Sequence, residues 1–455
     1  MLYLIRLFIA FLTAYFFGRI IYLYFCNPKE KNNIISILHS FLLGLGFTSI
    51  TFWFYTIATN GYNSNYHIIE TCSIVLIYLY LRLKKHKKLF PKLPIKNIVN
   101  GASTEKKRLL INYLAVILFG LIAVYSFFKC LKYPDGTWDA LAMWNFRAKF
   151  LSCGNDAWNR MYFETFDYSH RDYPLFLSST IARFYNYVGR IDTIIPLFFA
   201  WFFNFNCFVL PYLYLNKLKN KYYSIFAVVI LSFSPTIFFH GCTQYADMPL
   251  AVFFLVSLYE FIVLNEKDKN LPWLGMLFAG LCFWIKNEGI PLFISYSLFI
   301  LYSLYKRENN CISALKKFLR IIPILLPIVI SVLFVRYFAK GENDLIFRLS
   351  DRLKQIFELE RYIIILPYIW TFIKQHLWII FIPIYLLAGF IDKKYKEYIY
   401  FLFIILMMNI VYIIVYLITP HDLIWHIENS YPRIASVFLP SLIFLGCLLF
   451  EYKRE

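Results

Sequence analysis

Apolar residues fall in blocks along this chain, each bounded by a short polar or charged stretch, from Leu2 to Phe450. A helix needs about 20 predominantly apolar residues to cross a bilayer. Most of the blocks reach or approach that length. They predict spans at 2–25, 34–58, 66–82, 110–130, 193–215, 222–240, 248–264, 272–285, 289–305, 320–338, 376–391, 398–418 and 434–451. The expected fold is an all-α polytopic membrane protein with about thirteen transmembrane helices. Two more apolar segments, 174–188 and 361–373, are shorter than a full crossing. They read as interfacial helices on the outer face, a mode open to apolar stretches with polar flanks. No small-residue cleavage site follows the first block, which reads as an uncleaved span rather than a signal peptide.

Composition agrees with a membrane solvent. Of 455 residues, 60% are hydrophobic, 21% aromatic and only 16% charged, against about 25% charged in soluble domains. No soluble domain of any size is expected. The formal net charge of +19 would suggest nucleic acid in a soluble protein. Here the excess sits in short loops, so no nucleic-acid partner is inferred. The loop 84–108 holds Lys84, Lys85, Lys87, Lys88, Lys92, Lys96, Lys106, Lys107 and Arg108 against Glu105 alone, which marks it as cytoplasmic. Counting spans from it puts Lys217, Lys219 and Lys221 on the same side. So are Lys306, Arg307, Lys316, Lys317 and Arg320, then Lys393, Lys394 and Lys396, then Lys453 and Arg454. The N-terminus then lies outside. The nine cysteines form no CxxC pair and no metal-ligand spacing. Cys153 and Cys242 fall in loops, and whether they pair is left open.

That orientation gathers the unusual residues on the outer side. The loop 131–192 carries Asp135, Trp138, Asp139, Trp144, Lys149, His170, Asp172 and Tyr173. Shorter outer turns add Asp247, then Lys286 and Glu288, then His426 and Arg433. A charge near the hydrocarbon core costs about 2.5–3.5 kcal/mol on insertion scales and tends to mark a polar cavity. Arg and Lys facing such a cavity suit a phosphate, Arg through its planar fork and Lys as a point charge. Simpler roles stand beside these. The aromatics form an interface belt or stack on sugar faces. Lys286 and Glu288 form a local ion pair at a helix break or belong to a site. Asp139 caps the helix that ALAMWNFRAKF predicts, or acts as a base. A transporter would hold its ionisable groups near the midplane in repeated halves, and no internal repeat is found. No GxGxxG or GxxxxGK[ST] string points to a nucleotide-bound donor.

The strings GTWDALAMWNFRAKF at 136–150, HRDYPLF at 170–176, QYADMPLA at 244–251, KNEG at 286–289 and WHIENSYPR at 425–433 carry a resemblance. In this order they resemble bacterial glycosyltransferases of the GT-C superfamily, relatives of the protein O-mannosyltransferases and the lipid A aminoarabinose transferases. The resemblance covers roughly 110–450. It divides the chain into a three-span N-terminal addition at 1–109 and a GT-C-like catalytic module at 110–455. It implies an enzyme of the bacterial inner membrane with its active site on the extracytoplasmic face. The donor would be a polyprenyl-linked sugar, the acceptor a glycan, lipid or protein, and the surroundings membrane lipids. It also implies an acidic catalytic residue in the first large outer loop, where Asp139 is the leading candidate. Asp172 and His170 would orient the acceptor or assist. Lys286 and Arg433 would face the leaving phosphate, and Asp135, Trp138, Trp144, Lys149, Tyr173, Asp247, Glu288 and His426 would line the substrate site. One base suffices if the transfer inverts the anomeric centre. The chain departs from the pattern at Arg171, where proline is expected, and lacks a DxD pair, which leaves a divalent metal open. A polysaccharide ligase or polymerase, or a non-catalytic lipid or glycan transporter, are the alternatives.

Overall fold

A computed structural model of the protein describes residues 1–25, 34–83, 102–218, 221–267, 272–340, 349–376 and 396–451. Among these residues there are helices and turns and no strand. The first part of the chain forms α1 (Leu2–Phe25), α2 (Ile34–Ala58), α3 (Tyr66–Leu83), α4 (Ala102–Leu131), α5 (Asn145–Ser152) and α6 (Phe176–Val188). The middle forms α7 (Ile194–Leu218), α8 (Lys221–Ser232), α9 (Pro235–Cys242), α10 (Asp247–Lys267), α11 (Trp273–Ile285) and α12 (Gly289–Glu308). The last part forms α13 (Cys311–Leu319), α14 (Ile322–Ala339), α15 (Leu349–Arg352), α16 (Leu359–Gln375), α17 (Lys396–Leu417), α18 (Leu423–Ser436) and α19 (Leu439–Glu451).

Six helices are long and apolar enough to cross a membrane, or eight if each of two bent pairs counts as one span. The protein is therefore an integral membrane protein, and the expected thirteen full spans are not found among the described residues. The differences have local causes. The predicted span 222–240 breaks between α8 and α9, which meet at 71°. Ser234 before Pro235 is extended, with ψ 101°, as the ring of a following proline requires. The span 434–451 is similarly preceded by α18, bent 41° from α19. The segment 272–285 forms only the 13 residues of α11, about 20 Å of rise against a hydrocarbon core of about 30 Å. The span 376–391 apart from His376, and the basic positions 84–101, 219, 393–394 and 453–454, lie outside the described residues. Lipid contact is written on α4, where Val116, Ile117, Leu121, Val124 and Phe128 are all exposed.

The first three helices share one hydrophobic core with the rest, a cluster running from Ala10 to Leu448. Helices α1 and α2 approach through small residues, Ala10, Ala14 and Gly18 on one and Ser40, Gly44 and Thr48 on the other. A Cβ on Gly44 would stand 1.8 Å from Ala14 O, and one on Gly18 1.9 Å from Ser40 O. Small residues at every fourth position allow this contact where lipid provides no hydrophobic drive. Gly46 packs on Leu281, and Trp284 Nε1 donates to Ser49 Oγ at 2.8 Å. Helices α2 and α11 therefore run in the same direction, and Ala58 and Ile285 finish at one end of the bundle.

Helix α6 corrects the interfacial reading of 174–188. Twelve of its thirteen residues are buried, whereas a helix lying in an interface shows one face to water. Its arginine and Ser178 are satisfied inside the protein instead. Arg183 Nη2 meets Glu70 Oε2 at 2.6 Å and donates to Thr13 Oγ1 at 2.7 Å. Ser178 Oγ donates to Trp144 O at 2.8 Å. In the other short segment, α16 buries only Ile365 and Phe372. Cys153 is exposed and Cys242 buried, both as free thiols, and Cys242 packs beside Cys130.

Candidate active site

All five of the resemblance-bearing strings meet at the end of the bundle where α11 finishes. Two turns are first zipped together. Thr137 N donates to Thr243 O at 3.2 Å. Gln244 Nε2 donates to Pro134 O at 2.8 Å and Tyr133 O at 3.1 Å, while its Oε1 accepts from Asn145 Nδ2 at 2.6 Å. Gly136 takes φ +78°, and a Cβ there would stand 2.7 Å from Thr243 O. Gln244 itself is left-handed, with φ +61°. These contacts set Asp139 beside Asp247, the first residue of α10.

The charges then interlock. Arg433, on α18, pairs with Asp139 Oδ2, and its Nε lies 3.7 Å from Asp247 Oδ2. Lys286 Nζ lies 2.9 Å from Asp247 Oδ1 and 2.8 Å from Glu288 Oε1. The Lys286 side chain is 3% exposed, Arg433 16% and Asp139 25%. Burial works against the Lys286 ammonium, but the Asp247 and Glu288 carboxylates outweigh it and hold the pKa above the ordinary lysine value. Asp172 joins through Asn287, whose Nδ2 donates to Asp172 Oδ2 at 2.7 Å. The Arg433 guanidinium also sits over the Tyr245 ring, 5.0 Å from its centre, and Tyr245 OH accepts from Asp139 N at 3.2 Å. The N-cap role does not occur. Asp139 makes no side-chain cap bond, because its carboxylate turns to Arg433 while Ala140–Trp144 form a wide π-helical turn.

The loop bearing His170 and Asp172 is held by a residue that composition does not single out. Arg147, fully buried on α5, donates to the carbonyls of Ser169, His170 and Tyr173, the last at 2.9 Å. Burial pulls the Arg147 pKa down to about 10. Arg171, the departure from the expected proline, braces the same loop. It pairs with Asp167 and donates from Nη1 to Tyr162 O at 2.6 Å. His170 is left-handed at φ +45°, and its ring meets Tyr173 edge-on at 5.8 Å. Burial raises the Tyr173 hydroxyl pKa well above the ordinary value, with help from Glu288 and Asp172.

The remaining candidates scatter. Trp138 is 72% exposed, but Trp144 is 1% exposed and turns its edge to Tyr173 inside the core, which removes it as a stacking surface for a sugar. Asp135 and Lys149 are exposed, and no carboxylate pairs with Lys149 among the described residues. His426 Nδ1 is hydrogen-bonded to Thr419 Oγ1 at 2.8 Å, and its ring packs on Tyr416. Residues that sequence reasoning left without a role are Asn145, Arg147, Gln244, Tyr245 and Asn287. So is His240, whose Nδ1 is buried without a hydrogen-bond partner among the described residues and which interacts electrostatically with Asp247, Arg433 and Lys286. Among the described residues no three His, Cys, Asp or Glu side chains are grouped to hold a metal. Asp139, Asp247, Glu288 and Asp172 are each engaged by Arg433, Lys286 or Asn287, while Glu288 Oε2 is buried with no hydrogen-bond partner among the described residues. The chain matches no protein-family model, no curated protein and no solved structure.

Proposed function

We propose that this protein is a membrane glycosyltransferase that moves a sugar from a polyprenyl-phosphate-type carrier to an acceptor at the membrane surface, as its GT-C-like strings suggest. The observation that carries the reading is the Asp139–Arg433–Asp247–Lys286–Glu288 chain of ion pairs at one end of an apolar helix bundle. An anionic, lipid-linked donor would present its phosphate at such a place. The reaction needs one base and one cation. An acceptor hydroxyl oxygen attacks the anomeric carbon, its proton passes to the Asp139 carboxylate, and the bond from that carbon to the phosphate oxygen breaks. The charge left on the phosphate is stabilised by Arg433, the less enclosed of the two cations. Lys286, wrapped by two carboxylates, acts as a positioning residue that holds Asp247 and so aims Arg433. Deleting the gene and profiling lipid-linked sugars and surface glycans by mass spectrometry tests the reading. Carrier-linked sugar should accumulate while one glycan loses a substituent, and unchanged profiles would exclude it.

The site belongs on the extracytoplasmic face in this reading, from the placement of the basic loops. Two native thiols report on that assignment. Cys153, in the loop 131–192, and Cys311, between the basic residues 306–307 and 316–317, are both exposed. In intact cells a membrane-impermeant maleimide should label Cys153 and spare Cys311 until the membrane is permeabilised. Labelling in the reverse order would turn the protein over.

A further inference from the structure

At the same end of the bundle, the turn between α2 and α3 meets residues 152–155 and the end of α6 around an open cavity of about 510 Å³. Its rim is built rather than loose. Asn60, Gly61, Gly154 and Asn155 all take left-handed backbone, with φ +47°, +85°, +71° and +54°. Trp158 Nε1 donates to Asn60 Oδ1 at 3.2 Å, and Asn63 Nδ2 donates to Leu151 O at 2.7 Å. A Cβ on Gly61 would stand 2.2 Å from Asn155 O. Left-handed asparagines cost free energy and persist where surrounding structure enforces them, often around ligands. Asn186 closes the wall, donating to Asn63 O and accepting from His67 N at 3.2 Å.

The groups left over define what the cavity takes. Arg190 is matched by Asp192 at 2.8 Å. The Arg6 guanidinium and the side chains of Ser64 and Asn155 line the space and have no partner among the described residues. The position of Arg6 over the end of α6, 3.0 Å from a Cβ placed on Gly189, suits the partial negative charge of a helix C-terminus. That explains why a cation stands there, yet it leaves the five donors of the guanidinium unused. Tyr62, 65% exposed, offers a flat ring beside them. We propose that this cavity is a second binding site, for a hydroxyl-rich group bearing a negative charge, either a uronic-acid or phosphate-bearing sugar or a phosphate-bearing lipid headgroup. Arg6 meets the anion, Ser64 and Asn155 meet hydroxyls, and Tyr62 covers the apolar face. The proposal is read by binding alone and does not depend on the transfer reaction.

The full chain in phosphatidylcholine nanodiscs is titrated with a soluble tetramer of galacturonic acid, with neutral galactose oligomers as control. In a second arm, phosphatidylglycerol replaces part of the lipid and its saturable retention by the protein is measured. Saturation in the first arm assigns the site to acidic glycans, and saturation in the second alone assigns it to a headgroup. In the arm that binds, Arg6→Gln should weaken affinity by about 10-fold or more, the value of a charge-assisted hydrogen bond, and Arg6→Lys should recover part of it. Tyr62→Ala should weaken binding as well, and its exposed ring makes that variant safe for folding. No saturable binding in either arm, or binding that neither Arg6→Gln nor Tyr62→Ala alters, overturns the proposal.

Discussion

Replacing Asp139 by Asn should lower sugar transfer by about 100- to 10,000-fold, the usual loss when a general base is removed, while the protein accumulates and folds normally. The separation of the two effects rests on geometry. Asp139 is one quarter exposed and pairs with an Arg433 that is also partly exposed. Such a pair is worth about 1 kcal/mol or less once solvent screening is counted. Asparagine keeps an oxygen for Arg433 to donate to and loses only the capacity to take a proton. Helix capping cannot account for a loss, because the Asp139 side chain caps nothing. The pairing also predicts the sign of a second effect. In the free protein Asp139 competes with a donor phosphate for Arg433. Asp139→Asn weakens that competition, so binding of a polyprenyl phosphate should tighten or hold as turnover collapses. Arg433→Gln should instead weaken donor binding. Transfer at near wild-type rate by Asp139→Asn would pass the role of base to Asp172, held by Asn287, or to the exposed Asp135. Full activity in all three single variants would remove the mechanism.

Much of this arrangement is legible in the sequence, and the parts that are not share a cause. The ends of α1, α2 and α7 fall where apolar blocks end, because a lipid-spanning helix must be apolar over its whole length. The ion cluster was also signalled, since Asp139, Asp247, Lys286, Glu288 and Arg433 each interrupt or border an apolar block. What could not be read is how distant segments satisfy one another. A short apolar segment containing Arg183 reads as interfacial until Glu70, 113 positions away, neutralises it. Trp144 reads as a belt residue or a sugar-stacking ring until Tyr173 packs against it inside the core. Arg147, Asn145 and Gln244 bond to backbone carbonyls or to each other, and carbonyls carry no sequence signature. The break at Ser234 did carry a local signal, the proline that follows it.

The largest effect on stability should come from Lys286→Met. Lys286 is almost fully enclosed and is the nearer cation to Asp247, itself 1% exposed. Removing the ammonium leaves a buried carboxylate facing Arg433 at 3.7 Å and strands Glu288 without its partner. Breaking a buried ion pair from one side costs about 3–5 kcal/mol, mostly because the remaining charge has lost both water and its counterion. The double variant Lys286→Met with Asp247→Asn removes both charges and leaves only the less buried Glu288 unpaired. It should therefore be more stable than Lys286→Met alone, and unfolding in mixed micelles read as a double-mutant cycle would measure that coupling. Transfer should fall in both variants, since Arg433 loses the Asp247 carboxylate that aims it or the support of that carboxylate. An alkaline titration supplies an independent check. Because the Lys286 pKa is raised in the folded protein, its contribution is complete below the ordinary lysine value of 10.5 and is lost as pH rises above it. The wild type should weaken over that range more steeply than Lys286→Met, which has no such proton to lose. A single variant within about 1 kcal/mol of wild type, the scale of a solvent-screened pair, would show that the network is hydrated and that Lys286 does not hold Asp247 in place.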